Sequence, residues 1–303
     1  MGSGLTKFEA ADPAYWVAHG YAVCNPDMRG IAHSEGNITE IGSQEAQDGY
    51  DLIEWIASQP WSSGKTALTG TSYLAWSQWF IAAEQPPHLT AINPTEGLSD
   101  GYRDLAYIGG IPDKNFINRL GANHVSATGA LREDLTKEID AYPLADAAVW
   151  QDKIADTSKI KVPAYVIGSY SNTLHTMGTF RAWRNLGSSE KWLRIHDRQE
   201  WPFYYDKDNT EELRRFMDYY LCDNAASCDD GALANGEFLT GTIPRTDNQV
   251  TMGIMANRDA VNRKLVFRDG RGVVGVFNPS SLCKGFKSVR FSHDRSPRLY
   301  LNQ

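Results

Sequence analysis

The first two thirds of the chain alternates short apolar runs with longer amphipathic stretches. Short apolar runs that end in a loop are typical of buried strands, whereas apolar positions three and four residues apart mark one face of a helix. The runs that predict strands are residues 20–26, 65–70, 91–94, 162–168 and 191–195, and the stretches that predict helices are 44–58, 73–84 and 211–221. This alternation predicts an α/β fold with a mostly parallel sheet between helices.

Two regions depart from that alternation. The strand signal disappears after Gly97, and the polar, helical pattern that follows predicts a cap insertion over residues 97–155. All nine tryptophans lie between Trp16 and Trp201, and short alternating runs near the C-terminus indicate β structure. We therefore predict a core over residues 1–222 and a partial β-rich domain over residues 223–303.

Composition narrows the class of protein. The chain has 303 residues, 42% of them hydrophobic, and a formal net charge of −7, which argues against a nucleic-acid partner. It has no apolar run long enough for a membrane-spanning helix and no N-terminal pattern of a secretory signal, so we expect no membrane partner and a cytoplasmic location. Four scattered cysteines are then expected to be reduced, with a Cys222–Cys228 bridge as the alternative.

The strongest local signal is the segment Thr69-Gly-Thr-Ser-Tyr-Leu-Ala75, where a predicted strand passes directly into a predicted helix. A serine on such a sharp turn projects its hydroxyl above the sheet, and small neighbours relieve the crowding there. The amide of Tyr73, at the start of the helix, is a candidate donor to an oxyanion. Leu74 departs from the G-x-S-x-G pattern, so an ordinary turn is the alternative interpretation of this segment.

Further motifs favour the catalytic interpretation. They are Asp27-Met-Arg-Gly-Ile-Ala-His-Ser-Glu-Gly36, Gln44-Glu-Ala-Gln-Asp-Gly-Tyr-Asp-Leu-Ile-Glu-Trp55, Gln59-Pro-Trp-Ser-Ser-Gly-Lys65 and Ser77-Gln-Trp79. In this order they resemble the CocE/NonD family of α/β hydrolases, which includes X-Pro dipeptidyl-peptidases, over about Phe8 to Leu221. The resemblance implies an α/β-hydrolase fold and Ser72 as nucleophile. The family motif is Gly-x-Ser-Tyr-x-Gly, from which Ala75 is a mild departure.

A serine nucleophile needs a histidine base and an acid that orients it. Because this fold orders its triad as serine, acid and histidine, His175 and His196 are the candidates among seven histidines. The resemblance places the catalytic histidine after the last core strand and therefore favours His196, with His175 in a loop or lining the pocket. It places Asn172 where the family has its aspartate.

An asparagine can orient an imidazole but cannot balance the charge of an imidazolium. The sequence therefore predicts a slower hydrolase or a substituted acid. Asp197 and Glu200 are candidates for that acid only because they lie near His196, and we interpret both as solvated surface carboxylates. Family members also have a segment before the matched region and a larger C-terminal β domain. The resemblance thus implies a chain shortened at both ends, and a homodimer is one way to cover an exposed sheet edge.

The sequence as a whole predicts a serine hydrolase that cleaves a small-molecule ester or amide through an acyl-enzyme, with no cofactor and no metal. Two alternatives stay open. One is an acyltransferase or another tailoring enzyme of small-molecule metabolism that uses the same nucleophile. The other is a relic that keeps the hydrolase scaffold without catalysis.

Overall fold

The computed structural model of the protein describes residues 4–122, 129–222, 249–252, 265–269, 272–277, 288–291 and 299–302. The helices are α1 (Pro13–Trp16), α2 (Ser43–Ala57), α3 (Tyr73–Ala83), α4 (Lys114–Ala122), α5 (Leu135–Ala141), α6 (Ala148–Gln151), α7 (Thr176–Asn185), α8 (Glu200–Tyr204) and α9 (Lys207–Leu221). The strands are β1 (Thr66–Thr71), β2 (Leu89–Thr95), β3 (Tyr107–Ile108), β4 (Ile111–Pro112), β5 (Ala164–Ser169), β6 (Lys191–His196), β7 (Gln249–Met252), β8 (Leu265–Asp269), β9 (Gly272–Phe277), β10 (Ser288–Phe291) and β11 (Leu299–Asn302). Among the described helices, none has the length and apolar character needed to cross a membrane.

Five strands form one parallel sheet in the order β1-β2-β5-β6-β7. Its central strand β5 is buried at every position, as expected when helices cover both faces. One face carries the apolar sides of α2, α3 and α7, with Trp79 at the centre, and the other carries α1 and α9, with Phe216. The predicted α/β architecture is confirmed, and most predicted elements in the core are found within a few residues of their expected bounds.

The register of the sheet brings its carboxyl ends together at one edge. Thr71 of β1 lies opposite Thr95 of β2, and Ser169 of β5 lies opposite His196 of β6. Each of these residues is the last of its strand. The loops that follow β1, β2, β5 and β6 therefore open at the same edge, which is where ligands bind in parallel α/β sheets.

The predicted strand at residues 20–26 is wrong. These residues have no regular secondary structure and are mostly exposed. An apolar run becomes a strand only where a neighbouring strand supplies hydrogen bonds for its backbone. Within the described part of the chain, the ladder ends at β1, and residues 20–26 pair with no strand.

The insertion after β2 is mainly helical, as predicted, with a short β3–β4 hairpin at Gly109-Gly110. A buried ammonium group holds it to the core. Nζ of Lys153 donates to the carbonyl oxygens of Glu40 and Ile41, at 2.7 and 3.0 Å, and pairs with the carboxylate of Glu133 at 2.9 Å. These contacts fix the insertion beside the loop that precedes α2.

The described strands of the C-terminal segment contribute to the core sheet and also form antiparallel pairs. Strand β7 pairs with β6 in parallel, whereas β8–β9 and β10–β11 are antiparallel pairs. Cys24 is a free thiol, and Cys222 is disulfide-bonded. The expectation of a reduced Cys222 is therefore wrong, and Cys228, the partner considered in the alternative, lies outside the described residues.

Candidate active site

Ser72 occupies the turn between β1 and α3. Its backbone has φ 61° and ψ −116°, a conformation that costs energy in any residue with a side chain and occurs mainly at functional sites. The Ser72 amide donates to the carbonyl of Thr95 at 3.1 Å, which ties the turn to the end of β2. The strained serine is thus held in place by the neighbouring strand.

Glycine at position 70 explains how Leu74 is tolerated in this motif. A Cβ atom at position 70 would lie 2.5 Å from Cβ of Leu74, closer than real side chains approach. The turn also packs against the segment after β2, where a Cβ at Gly97 would lie 3.0 Å from Cβ of Ala75. Small residues at positions 70, 75 and 97 therefore let the strand and helix meet at a sharp angle.

His175 is the histidine beside the serine. Its Nε2 lies 3.2 Å from Oγ of Ser72, and its Nδ1 lies 2.8 Å from Oε2 of Glu200. His175 sits on the loop between β5 and α7, and Glu200 is the first residue of α8, just after β6. A carboxylate at Nδ1 places the ring proton there and leaves the lone pair of Nε2 facing the hydroxyl.

His196 lies elsewhere, and this corrects the expectation that it is the base for Ser72. It ends β6 as predicted, but its Nε2 lies 2.7 Å from Oε1 of Glu96, and its Nδ1 accepts the Arg198 amide at 3.3 Å. Its ring stacks on Phe203 with 3.7 Å between centroids. Both ring nitrogens are engaged away from the nucleophile, so the geometry does not suit His196 for proton transfer with Ser72.

Asn172 lies beside His175, and does not orient His196 as expected. Its Nδ2 is 3.0 Å from Nδ1 of His175 and donates to Glu96 at 2.7 Å and to Glu200 at 2.8 Å. Its Oδ1 accepts the backbone amides of Leu174 and His175, which fixes the orientation of the side-chain amide. Asn172 therefore bridges two carboxylates behind the imidazole.

The two carboxylates proposed beside His196 differ in their placement. Asp197 is exposed, in keeping with its interpretation as a surface group. Glu200 is largely buried, with 11% side-chain exposure, and contacts His175. The interpretation of Glu200 as a solvated carboxylate is wrong, because α8 turns back over the carboxyl edge of the sheet immediately after β6.

The side-chain hydroxyl and the backbone amide of Tyr73 lie in different surroundings. Its side chain points away from the edge of the sheet and donates a hydrogen bond to Oε2 of Glu45 at 2.9 Å. Burial raises the pKa of the Tyr73 hydroxyl and raises the pKa of Glu45 to about 7. Its backbone amide is at the first position of α3, where the positive end of the helix dipole favours a developing negative charge.

Glu9 is a further acidic group close to the turn. Its carbonyl oxygen accepts the Thr71 amide at 3.0 Å, and Oε1 accepts Nε1–H of Trp201 at 2.9 Å. Burial raises the pKa of Glu9 to about 7, with a smaller contribution from the negative charge of Glu200. The sequence gives no motif that singles out Glu9, and the site is the first indication of its unusual environment.

The cluster of Glu96, His175 and Glu200 has the donor atoms of a cation site, since one atom from each lies within 4.8 Å of the others. However, Nδ2 of Asn172 lies among these atoms: it donates to Glu96 at 2.7 Å and to Glu200 at 2.8 Å, and it is 3.0 Å from Nδ1 of His175. The N–H groups of this amide supply hydrogen bonds to the two carboxylates and occupy the position that a cation would take. The donor set therefore does not fit a resident metal ion.

The chain matches a family model described as X-Pro dipeptidyl-peptidase (S15 family) over residues 3–199. It is 37% identical over 120 residues to a Mycobacterium bovis protein described as a serine esterase, and 39% identical over 88 residues to cocaine esterase from Rhodococcus. These matches cover 39% and 29% of the chain but only 19% and 15% of the two relatives. The chain thus corresponds to a small part of each curated relative.

A solved CocE/NonD family hydrolase from Staphylococcus aureus is similar in structure. It superposes with a TM-score of 0.72 at 30% identity, over 96% of this chain and 47% of that one. The likeness extends beyond the serine motif to the sheet and the helices that cover it. With the match to the S15 family model and the strained serine at the end of β1, this shows that the chain is an α/β hydrolase of the CocE/NonD family.

Proposed function

We propose that the protein is a serine hydrolase that cleaves an ester or amide bond through an acyl-enzyme, with Ser72 as nucleophile, His175 as base and Glu200 as the acid that orients His175. The observation that carries the proposal is the 3.2 Å contact between Oγ of Ser72 and Nε2 of His175. In this contact a serine with a strained backbone lies beside an imidazole, and the other ring nitrogen, Nδ1, lies 2.8 Å from the Glu200 carboxylate. That combination is what activates a serine hydroxyl.

In the acylation step, Nε2 of His175 takes the hydroxyl proton while Oγ of Ser72 attacks the substrate carbonyl carbon. The carbonyl π electrons move to oxygen and form a tetrahedral intermediate. When that intermediate collapses, the bond to the leaving alcohol or amine breaks, and the leaving group receives the proton from His175. Throughout, the carboxylate of Glu200, 2.8 Å from Nδ1, balances the positive charge of the imidazolium.

Deacylation repeats the sequence with water. His175 takes a proton from water, the hydroxide oxygen bonds to the acyl carbon, and Oγ of Ser72 leaves with the proton returned by His175. The backbone amide of Tyr73 is the proposed donor to the oxyanion in both steps, because it belongs to the residue after the nucleophile and begins α3. The names of the matched relatives, which are esterases and peptidases, support an ester or amide as the substrate class.

Labelling with a fluorophosphonate tests the proposal without a known substrate, since the reagent bonds to an activated serine oxygen. We expect the wild-type chain to be labelled at Ser72 and to hydrolyse p-nitrophenyl esters, and Ser72→Ala to lose both properties. Ser77→Ala is the matched control, because Ser77 lies on α3 and its hydroxyl only donates to the Leu74 carbonyl in this structure. A folded wild-type chain that stays unlabelled would instead support the non-catalytic relic.

A further inference from the structure

A cluster of buried polar groups lies behind His175 and has no assigned part in the proposed reaction. Its centre is Glu96, which directly follows β2 and has no exposed surface. Its backbone φ is 53°, and its amide donates to the Ile167 carbonyl of β5 at 2.7 Å. A buried carboxyl group on a strained backbone is costly unless other groups surround it with hydrogen bonds.

The ring of His196 lies against one side of the Glu96 carboxyl group. Because Nδ1 of His196 accepts the Arg198 amide, the proton of a neutral ring lies on Nε2. That nitrogen is 2.7 Å from Oε1 of Glu96. The stacking on Phe203 fixes the plane of the ring. His196 therefore faces Glu96 at close range through the protonated nitrogen of its neutral ring, but the ring N–H is not aligned for a hydrogen bond, so the contact is electrostatic.

The other oxygen of Glu96 faces the catalytic histidine. Oε2 accepts from Nδ2 of Asn172 at 2.7 Å and from Oγ of Ser169 at 3.2 Å, and it lies 3.9 Å from Nδ1 of His175. The second hydrogen of the Asn172 amide goes to Glu200. One neutral amide thus holds two carboxylates on the same side of the imidazole.

We propose that Glu96 is a second positioning carboxylate for His175, in contact with His196 and coupled to Glu200 through Asn172. The inference rests on the proposed function. When His175 takes the proton of Ser72, the new cation faces Glu200 in direct contact and Glu96 at 3.9 Å, inside the protein where Coulomb attraction is strong. Glu96 touches no reacting atom, so it acts through the charge and orientation of His175.

The proposal has a consequence for pH dependence. The titratable groups that face His175 are Glu200 and Glu96, with Glu9 at longer range, and His196 faces Glu96 from the opposite side. Removing the Glu96 charge takes away an anion that favours protonated His175. The acidic limb of the pH–rate profile should then move to lower pH, while the maximum rate falls.

The test uses the full chain and the rate of fluorophosphonate labelling at Ser72, measured between about pH 5 and pH 9. We expect Glu96→Gln to label about 10 to 100 times more slowly and with its acidic limb at lower pH. Glu96→Asp should keep the limb in place because it keeps the charge. Glu84→Gln, the same exchange at an exposed position after α3, is the matched control and should label as the wild type does.

A second measurement does not depend on activity. ¹⁵N spectra of histidine-labelled protein report which ring nitrogen carries the proton, and we expect the Nε2–H form at His196. The Nδ1–H form there would overturn the proposal even if Glu96→Gln failed to fold. Wild-type rate and pH profile in Glu96→Gln would also overturn it while leaving the proposed function intact, whereas an unlabelled wild-type chain would contradict the proposed function itself and the inference with it.

Discussion

Nδ1 of His175 and Oε2 of Glu200 lie 2.8 Å apart, although the two residues belong to loops that follow different strands, β5 and β6. In the proposed triad, the Glu200 carboxylate favours the proton on Nδ1 of His175, which leaves the lone pair of Nε2 facing Ser72. Along the chain the three groups come in the order serine, histidine, acid.

Exchange of each histidine for glutamine separates their roles. We expect His175→Gln to lower kcat for a p-nitrophenyl ester by about 100- to 10,000-fold, because a glutamine amide cannot accept the proton of Ser72. His196→Gln should keep the rate within about 10-fold of wild type, because His196 does not contact Ser72 and the new amide keeps a polar group beside Glu96. Steady-state kinetics checks both, and the reverse ranking would restore His196 as the base.

Asn172→Asp should create a cation site. The change removes the N–H donors that lie between Glu96, His175 and Glu200 and adds a third carboxylate to the cluster. We expect the variant to bind Zn²⁺ or Mn²⁺ in calorimetric titration. It should then lose hydrolytic activity, because His175 and Glu200 would coordinate the ion and His175 could no longer act as the base. Asn172→Asp combined with His175→Gln lacks the imidazole ligand and should bind more weakly; equal affinity would place the ion elsewhere.

Gly70→Ala should unfold or strongly destabilise the chain. Its backbone φ of 152° disfavours a side chain, and the added Cβ would meet Leu74 and, at 3.3 Å, the Glu9 carbonyl oxygen. We expect a loss of about 3 kcal/mol or more in the free energy of unfolding, measured with urea. Gly109→Ala is the comparison, since φ there is also positive but nothing lies within 4 Å, so its loss should be about 1 kcal/mol.

Glu9 should make stability depend on pH. Its pKa is about 7 in the folded chain, against 4.5 for an unperturbed glutamate, so the folded state holds one more proton between these values. The free energy of unfolding therefore falls as pH rises from about 5 to 8, and this group accounts for up to about 3 kcal/mol of the fall. In urea titrations, Glu9→Gln should match wild type near pH 5 and exceed it near pH 8; a constant difference would contradict the assignment.

The sequence was sufficient for the sheet and for the strand–turn–helix setting of Ser72 because both depend on local patterns. Strand β1, the turn at Ser72 and helix α3 are adjacent in the chain, so their chemistry is visible in one short segment. The position of Ser72 on the turn before α3 was predicted this way, and its role as nucleophile stays a prediction. The prediction of a strand at residues 20–26 was wrong because a strand also needs a neighbouring strand to pair with, and the local sequence does not show whether one is present.

The positions of the proposed base and acid depend instead on how two loops that are distant in the sequence pack against each other. The loops after β5 and β6 open at the same edge, so either of them can bring a histidine to the serine. Order along the chain left both histidines open and the family resemblance favoured the second, whereas the fold places His175 of the first loop at Ser72 and Glu200 of the second beside His175. A usable signal was the close spacing of Asn172 and His175, which lets the side-chain carbonyl oxygen of Asn172 accept the His175 amide.

Strand β7, from the C-terminal segment, stabilises the side of the core sheet that would otherwise end at β6. It covers β6, the strand that leads directly to His196 and α8, with a parallel ladder from Trp192–Gln249 to Ile195–Met252. A fragment cut after Cys222 would leave the outer hydrogen-bonding groups of β6 open to other chains. Such an edge invites intermolecular pairing, so recombinant material trimmed to the first 222 residues should precipitate sooner than the intact chain.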